Sequence, residues 1–171
     1  MNKKLSNFII TVLIIMILSI LLIAIFWIPQ AVSYISLNVY YYFSNIFTTN
    51  DMIAIKTLFY CAIYIIIAIA LVIFSLAFKF PIAIKNNTIF SKNIASLLKT
   101  ISILTIIDCI IFSIGIIILY ISKEYFLSPP LTFFNIIGYT ISFMLFTLSK
   151  YVSEASILKE EAEYTLWLLS I

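Results

Sequence analysis

Histidine is absent from these 171 residues, as is arginine, and there are only two glycines and two cysteines. Each shortage excludes chemistry. Without histidine there is no imidazole metal ligand, no Ser-His-Asp arrangement and no histidine proton shuttle. Without arginine there is no planar fork to clamp a phosphate from two sides. Gly115 and Gly138 cannot spell a phosphate-cradling loop. The few acids are scattered, so no nucleophile–base pair or metal-ligand set assembles. Neither an enzyme nor a bound cofactor is expected. Charge is scarce as well, at 10% of residues against 64% hydrophobic, where a soluble domain has about 25% and 45–50%. With a mean hydropathy of +1.21, no compact soluble fold of this length hides its apolar surface. The solvent is lipid. Isoleucine fills 39 positions and every cation is lysine, a bias of AT-rich coding that accounts for part of the missing arginine.

Four apolar runs are long enough for a hydrocarbon core of about 30 Å, which needs about 20 helical residues. They cover about 8–28, 57–78, 101–121 and 131–148. In lipid the backbone must satisfy itself within a helix or a closed barrel, and the period-two alternation of barrel strands is missing. The expected fold is all-α: a polytopic membrane protein, a four-transmembrane-helix bundle forming one membrane domain over 1–171, with a helical C-terminal extension over 149–171. The first run is longer than a signal-peptide core and ends in Trp27-Ile28-Pro29-Gln30 rather than a small-x-small site, so it is read as a retained helix. Cys61 and Cys109 fall at different depths and are read as small buried hydrophobes, not a disulfide.

Lysine placement sets the orientation. Lys3 and Lys4 precede the first run, Lys79, Lys85, Lys92 and Lys99 fill the connection between the second and third, and Lys150 and Lys159 follow the fourth. Eight of the ten lysines thus share one side, and both termini are expected in the cytoplasm, in a bacterial plasma membrane. The other side is rich in tyrosine at Tyr34, Tyr40, Tyr41 and Tyr42. Its first loop, about 29–56, is expected to lie on the membrane as a partly helical amphipathic stretch.

Two segments face the cytoplasm. In the inner connection Ser91 is a plausible N-cap, after which Ile94, Leu97, Leu98 and Ile101 recur on one helical face. The third helix is therefore expected to begin near Lys92, outside the hydrocarbon. Lys85, Lys92 and Lys99 offer a basic surface to anionic lipid or to an acidic partner. The tail continues the fourth helix without glycine or proline, with Leu148, Val152, Ala155, Ala162, Leu166 and Leu169 as a short heptad-like seam. Lys150–Glu154 and Lys159–Glu163 are spaced as ion pairs along it, and Glu160, Glu161 and Glu163 form an acidic cluster able to meet a partner or the basic connection.

Asp108 is the one ionisable residue well inside a span, a functional candidate by default. Ser142 of the fourth span lies at a similar depth, Ser75 of the second somewhat closer to the inner face, and Asn135, Gly138, Ser142 and Ser149 share roughly one face. Gly138-x-x-x-Ser142 and Cys109-x-x-x-Ser113 are small-xxx-small pairs that let helices approach. Asp108, Ser142 and Asn135 are read either as polar glue between helices or as a proton- or ion-coupling site.

Phe90-Ser91-Lys92-Asn93-Ile94, followed by Leu97, resembles the element opening the third helix in a bacterial membrane family, domain-of-unknown-function family 2975. The stretch from Ile157 through Lys159, Glu160 and Glu161 to Thr165 and Leu166 is similar to that family's closing segment. Ile89 stands where the family usually has proline, Asn86-Asn87 replaces a turn glycine, and Trp167 to Ile171 run past the usual end. The resemblance implies no catalytic activity. It implies gene neighbourhood with a small Cro/C1-type helix-turn-helix regulator. The leading expectation is a non-enzymatic regulatory membrane protein acting through its cytoplasmic connection and tail on such a regulator, without direct nucleic-acid contact. A small transporter or channel component using Asp108 is one alternative, and an immunity or stress protein directed against a peptide is another. Partners expected are the lipid bilayer, the regulator and further copies of the chain.

Overall fold

The computed structural model describes residues 2–42, 49–86, 88–121 and 128–169. Six helices occupy them: α1 (Asn2–Phe26), α2 (Ile28–Tyr42), α3 (Thr49–Ala77), α4 (Lys79–Lys85), α5 (Lys92–Ile121) and α6 (Ser128–Leu169). Four stretches are long and apolar enough to cross a membrane: Lys3–Phe26, Ile53–Lys85, Lys92–Ile121 and Ser128–Ala162. Isoleucine-rich runs are poor helix formers by side-chain entropy alone. They are helical here because lipid offers the backbone no other partner. Many hydroxyls inside the runs follow the same rule by donating to their own helix, as Ser19 does to the Ile15 carbonyl and Thr140 to that of Ile136.

Helix boundaries follow from the prolines and the cap. Pro29 sits one residue into α2, where its missing N–H is tolerated. The bonds Trp27 N to Ile23 O and Ala31 N to Trp27 O carry helical pairing across the α1–α2 junction. Pro81 lies in the first turn of α4, and Pro129 and Pro130 lie in the first turn of α6. Ser91 caps α5 as its sequence position foretells, its Oγ accepting from the Ile94 N–H at 3.4 Å. The expected start near Lys92 is where α5 begins.

The segment after Pro29 is helical and amphipathic as expected: α2 follows α1 and buries Val32, Ser36 and Val39 on one face. With Phe59 of α3 these valines form a small core flanked by Ile35, Ile55, Ile63 and Ile118. The Tyr60 hydroxyl donates to the Pro29 carbonyl at 3.3 Å. Part of the apolar face of α2 thus packs on α3.

The opposite end of the bundle gathers the start of α1, α4, the start of α5 and the extension of α6. Ser6, buried, donates to the Pro81 carbonyl at 2.9 Å. A second core joins Ala83, Ile94, Ala95, Leu97, Leu98, Ile101 and Val152, so all four members of the predicted α5 face are buried. The lysines that set the orientation argument lie on these same elements. We call this the lysine-rich end.

The largest interface is the antiparallel hairpin of α5 and α6. Along α6 its buried line is Ser128, Asn135, Ser142, Ser149 and Ser156, one residue every seven. Along α5, Ala95, Ser102, Cys109 and Ile116 keep the same period and are also buried. A seven-residue repeat keeps two helices in contact through a gentle left-handed supercoil. Small side chains let the backbones come close where no hydrophobic force drives helices together in lipid. This corrects the seam drawn from sequence through Leu148, Val152, Ala155 and Ala162. Val152 is buried, but Leu148 is 49% exposed and Ala162 is exposed. Large apolar residues face outward along the span and the serines face in.

Candidate functional site

Ser102 and Ser142 meet at the hairpin's centre, both fully buried. The Ser102 hydroxyl donates to the Ser142 carbonyl at 2.9 Å and the Ser142 hydroxyl to the Ser102 carbonyl at 2.7 Å. Ser142 is therefore committed to Ser102 and does not join Asp108, although depth counting put the two at a similar level. About one turn further along α6, Gly138 faces Cys109, and a Cβ built on Gly138 would stand 2.7 Å from the Cys109 Sγ. Beyond that, Asn135 Nδ2 donates to Ser113 Oγ at 2.7 Å, while Ser113 donates to the Cys109 carbonyl at 2.8 Å and lies 3.2 Å from the Tyr139 hydroxyl.

Asp108 and Asn135, by contrast, do share a place. Both line a cavity of about 220 Å³ with Ile66, Cys109, Phe112 and Phe134. Asp108 Oδ1 and Asn135 Oδ1 are each buried without a hydrogen-bond partner among the described residues. Two unmet acceptors in one apolar recess are costly to leave empty-handed. They suit a donor: a proton held between them, or a small cation. Of the three intramembrane candidates, the structure thus joins Asp108 with Asn135 and sets Ser142 apart. The spacing of Asn135 from Ser142, seven residues along one helix, was the available signal for that separation.

At the lysine-rich end, Lys92 Nζ lies 2.7 Å from Glu160 Oε2 and ties the extension of α6 to the start of α5. Both side chains are about 60% exposed, so the pair adds at most about 1 kcal/mol and serves as register rather than as glue. Lys85 and Lys99 are exposed, as is Glu161. Lys150 does not reach for Glu154 but lies over the Phe146 ring, 5.2 Å from its centroid. The side chain of Glu163, and with it the Lys159–Glu163 spacing, lies outside the described residues. Along the extension, Tyr151, Glu154, Leu158 and Glu161 form one face that is exposed among the described residues. Cys61 is exposed and Cys109 buried, both as free thiols. Among the described residues no cluster of His, Cys, Asp and Glu could hold a metal ion.

No curated protein and no solved structure matches the chain. A family model does, over residues 63–166, described as a protein of unknown function (DUF2975). That match runs from the middle of α3 into the extension of α6, and it takes in both sequence elements that carry the resemblance as well as the hairpin and its polar cavity. The chain belongs to the DUF2975 family.

Proposed function

We propose that this chain is a non-enzymatic regulator in the bacterial plasma membrane. In this reading its lysine-rich end faces the cytoplasm, where the α4–α5 connection and the extension of α6 engage a soluble protein. The observation that carries the reading is the exposed face Tyr151–Glu154–Leu158–Glu161. Helix α6 has 42 residues, about 63 Å at 1.5 Å each, twice a hydrocarbon core of about 30 Å. Tyr151 follows Lys150 at headgroup level, but Leu158, two turns further out and 65% exposed, is the apolar side chain that a partner would cover. An apolar pair one heptad apart, interleaved with acids, is the pattern of a helix that lies in a partner's groove. A helix-turn-helix regulator is the first partner to test, and the acids Glu160 and Glu161, with Lys85, Lys92 and Lys99 opposite, are the charges that would orient it.

A chain ending after Ser156 keeps Val152 and Ser156 in their packing but loses the end of the face. Copurification of the regulator from mild detergent is expected with the full-length chain, and at least about tenfold less with the truncated chain or with Leu158→Glu, since a central apolar anchor is worth about 2 kcal/mol. Equal recovery from all three removes this function. Reporter fusions at either end are expected to report cytoplasm, and an exterior signal from either rejects the orientation.

The cavity of Asp108 and Asn135 favours a second reading, a small transporter or channel component. Vesicles containing the wild-type chain would then pass protons or monovalent cations, and Asp108→Asn would abolish the flux. Absence of flux from the wild type dismisses it.

A further inference from the structure

A second recess opens between α5 and α6 at the lysine-rich end. It measures about 390 Å³, and its polar lining comes from Lys92, Ser96, Lys99, Lys150, Ser149 and Ser153, with Phe146 as an apolar wall. No carboxyl group lines it. Lys92 is engaged at the rim by Glu160. Lys99, Ser96 and Ser153 make no side-chain hydrogen bond or ion pair among the described residues. With Lys92 neutralised by Glu160, Lys99 and Lys150 leave two positive charges at one recess without a carboxylate among its lining residues.

Its level in the membrane follows from the sequence. Past Lys99 the only charge in α5 is Asp108, and before Lys150 α6 carries none. Lys99 and Lys150 therefore mark the same boundary on the two arms of the hairpin, where hydrocarbon gives way to headgroups. Directly beyond Lys99 on the membrane side, Ile103, Ile107 and Ile110 are exposed in a row along α5, a track suited to an acyl chain.

We propose that this recess binds the phosphate of an anionic phospholipid. The phosphate oxygens accept from Lys99 and Lys150, the Ser96 and Ser153 hydroxyls supply further donors, and an acyl chain lies along the isoleucine track. The chemistry recognised is a phosphate bearing a net negative charge. The lipid is chosen over soluble phosphate because the recess stands at the bilayer boundary beside that track. Lys99 is shared with the regulator reading, but the lipid exchange below uses the protein without a regulator, so the failure of either reading is seen separately.

Native mass spectrometry of the full-length protein, exchanged against vesicles of phosphatidylglycerol or of phosphatidylcholine, tests it. The wild type is expected to retain one phosphatidylglycerol with a preference of at least about tenfold, given roughly 1 kcal/mol per lysine at the membrane surface. Lys99→Gln/Lys150→Gln should erase the preference, and Lys99→Arg/Lys150→Arg should keep it. Lys3→Gln/Lys4→Gln removes as much charge from the same end and should leave it intact. Circular dichroism and elution volume check that each variant folds. Loss of preference in the Lys3/Lys4 variant equal to that in the Lys99/Lys150 variant overturns the site, as does a wild type without preference. Inorganic phosphate at millimolar concentration should not displace the lipid. If it does, the recess is a site for soluble phosphate and the lipid assignment fails.

Discussion

Gly138→Ala lowers the thermal unfolding midpoint of the purified protein, and Cys109→Ala in the same chain restores most of it. The substitution adds one methyl group. In an open helix position that gains up to about 1 kcal/mol through helix propensity. At Gly138 the new Cβ falls 2.7 Å from the Cys109 Sγ, closer than unbonded atoms rest. Cys109 is buried against α6, so either its thiol turns into the cavity it lines or the hairpin parts. Overpacking of a tight interior costs about 1–3 kcal/mol, which outweighs the propensity gain. Gly115 provides the internal control. A Cβ there meets nothing within 4 Å, so Gly115→Ala should be neutral or stabilising by up to about 1 kcal/mol. The double-mutant cycle of Gly138→Ala with Cys109→Ala isolates the contact, with a coupling of about 1 kcal/mol or more expected. Additive effects, or a fall in the midpoint for Gly115→Ala equal to that for Gly138→Ala, would show that the close approach of α5 and α6 is not what Gly138 serves.

The spans were legible because lipid leaves a coarse mark: charge-free runs bounded by lysine. The start of α5 was legible for a finer reason, since Ser91, Ile94, Leu97, Leu98 and Ile101 obey the same cap and periodicity rules in any solvent. Within the span the inward face of α6 was legible, with Asn135, Gly138, Ser142 and Ser149 on one packing side, but the tail seam was drawn as for a soluble helix, with Leu148 turned inside. Within lipid Leu148 gains nothing by turning inward, and the close contacts go to Ser142 and Ser149. The repeat of Ser128, Asn135, Ser142, Ser149 and Ser156 stands plainly in the sequence, but reading it needs the rule for the right solvent. The grouping of Ser142 with Asp108 failed for a different reason. Depth was counted from assumed span ends, and α6 runs without a break past the membrane, so the end used for counting does not exist as a structural feature. Register comes instead from side-chain pairs such as Lys92–Glu160 and Tyr120–Thr132, which no one-dimensional count contains. What the candidate site binds was not legible in the composition either, because two unmet oxygens become informative only once one cavity holds both.

Ser142→Leu is expected to disrupt the hairpin far more than Ser142→Ala, although both remove the same hydroxyl. The hydroxyl bonds are reciprocal and short, which makes them look decisive. Yet polar contacts between membrane helices average about 0.6 kcal/mol and reach about 1.7 at most, because the separated helix still satisfies its serine on its own carbonyls. Alanine at 142 therefore lowers stability by about 1 kcal/mol, and the Ser102 carbonyl it abandons still belongs to the α5 helix ladder. Leucine meets a position with no exposed surface, in a stripe where the facing residues on α5 are Ala95, Ser102 and Cys109. Three further carbons cannot enter without forcing the helices apart along their whole length, so a loss of about 3 kcal/mol or more is expected. Chemical unfolding of the three purified proteins in mixed micelles, followed by circular dichroism, measures both steps. An alanine variant as damaged as the leucine variant would assign the hairpin's stability to the hydrogen bonds. The expected order assigns it to size: serine is placed along α6 chiefly because it is small, and its hydroxyl makes that smallness compatible with a buried interface.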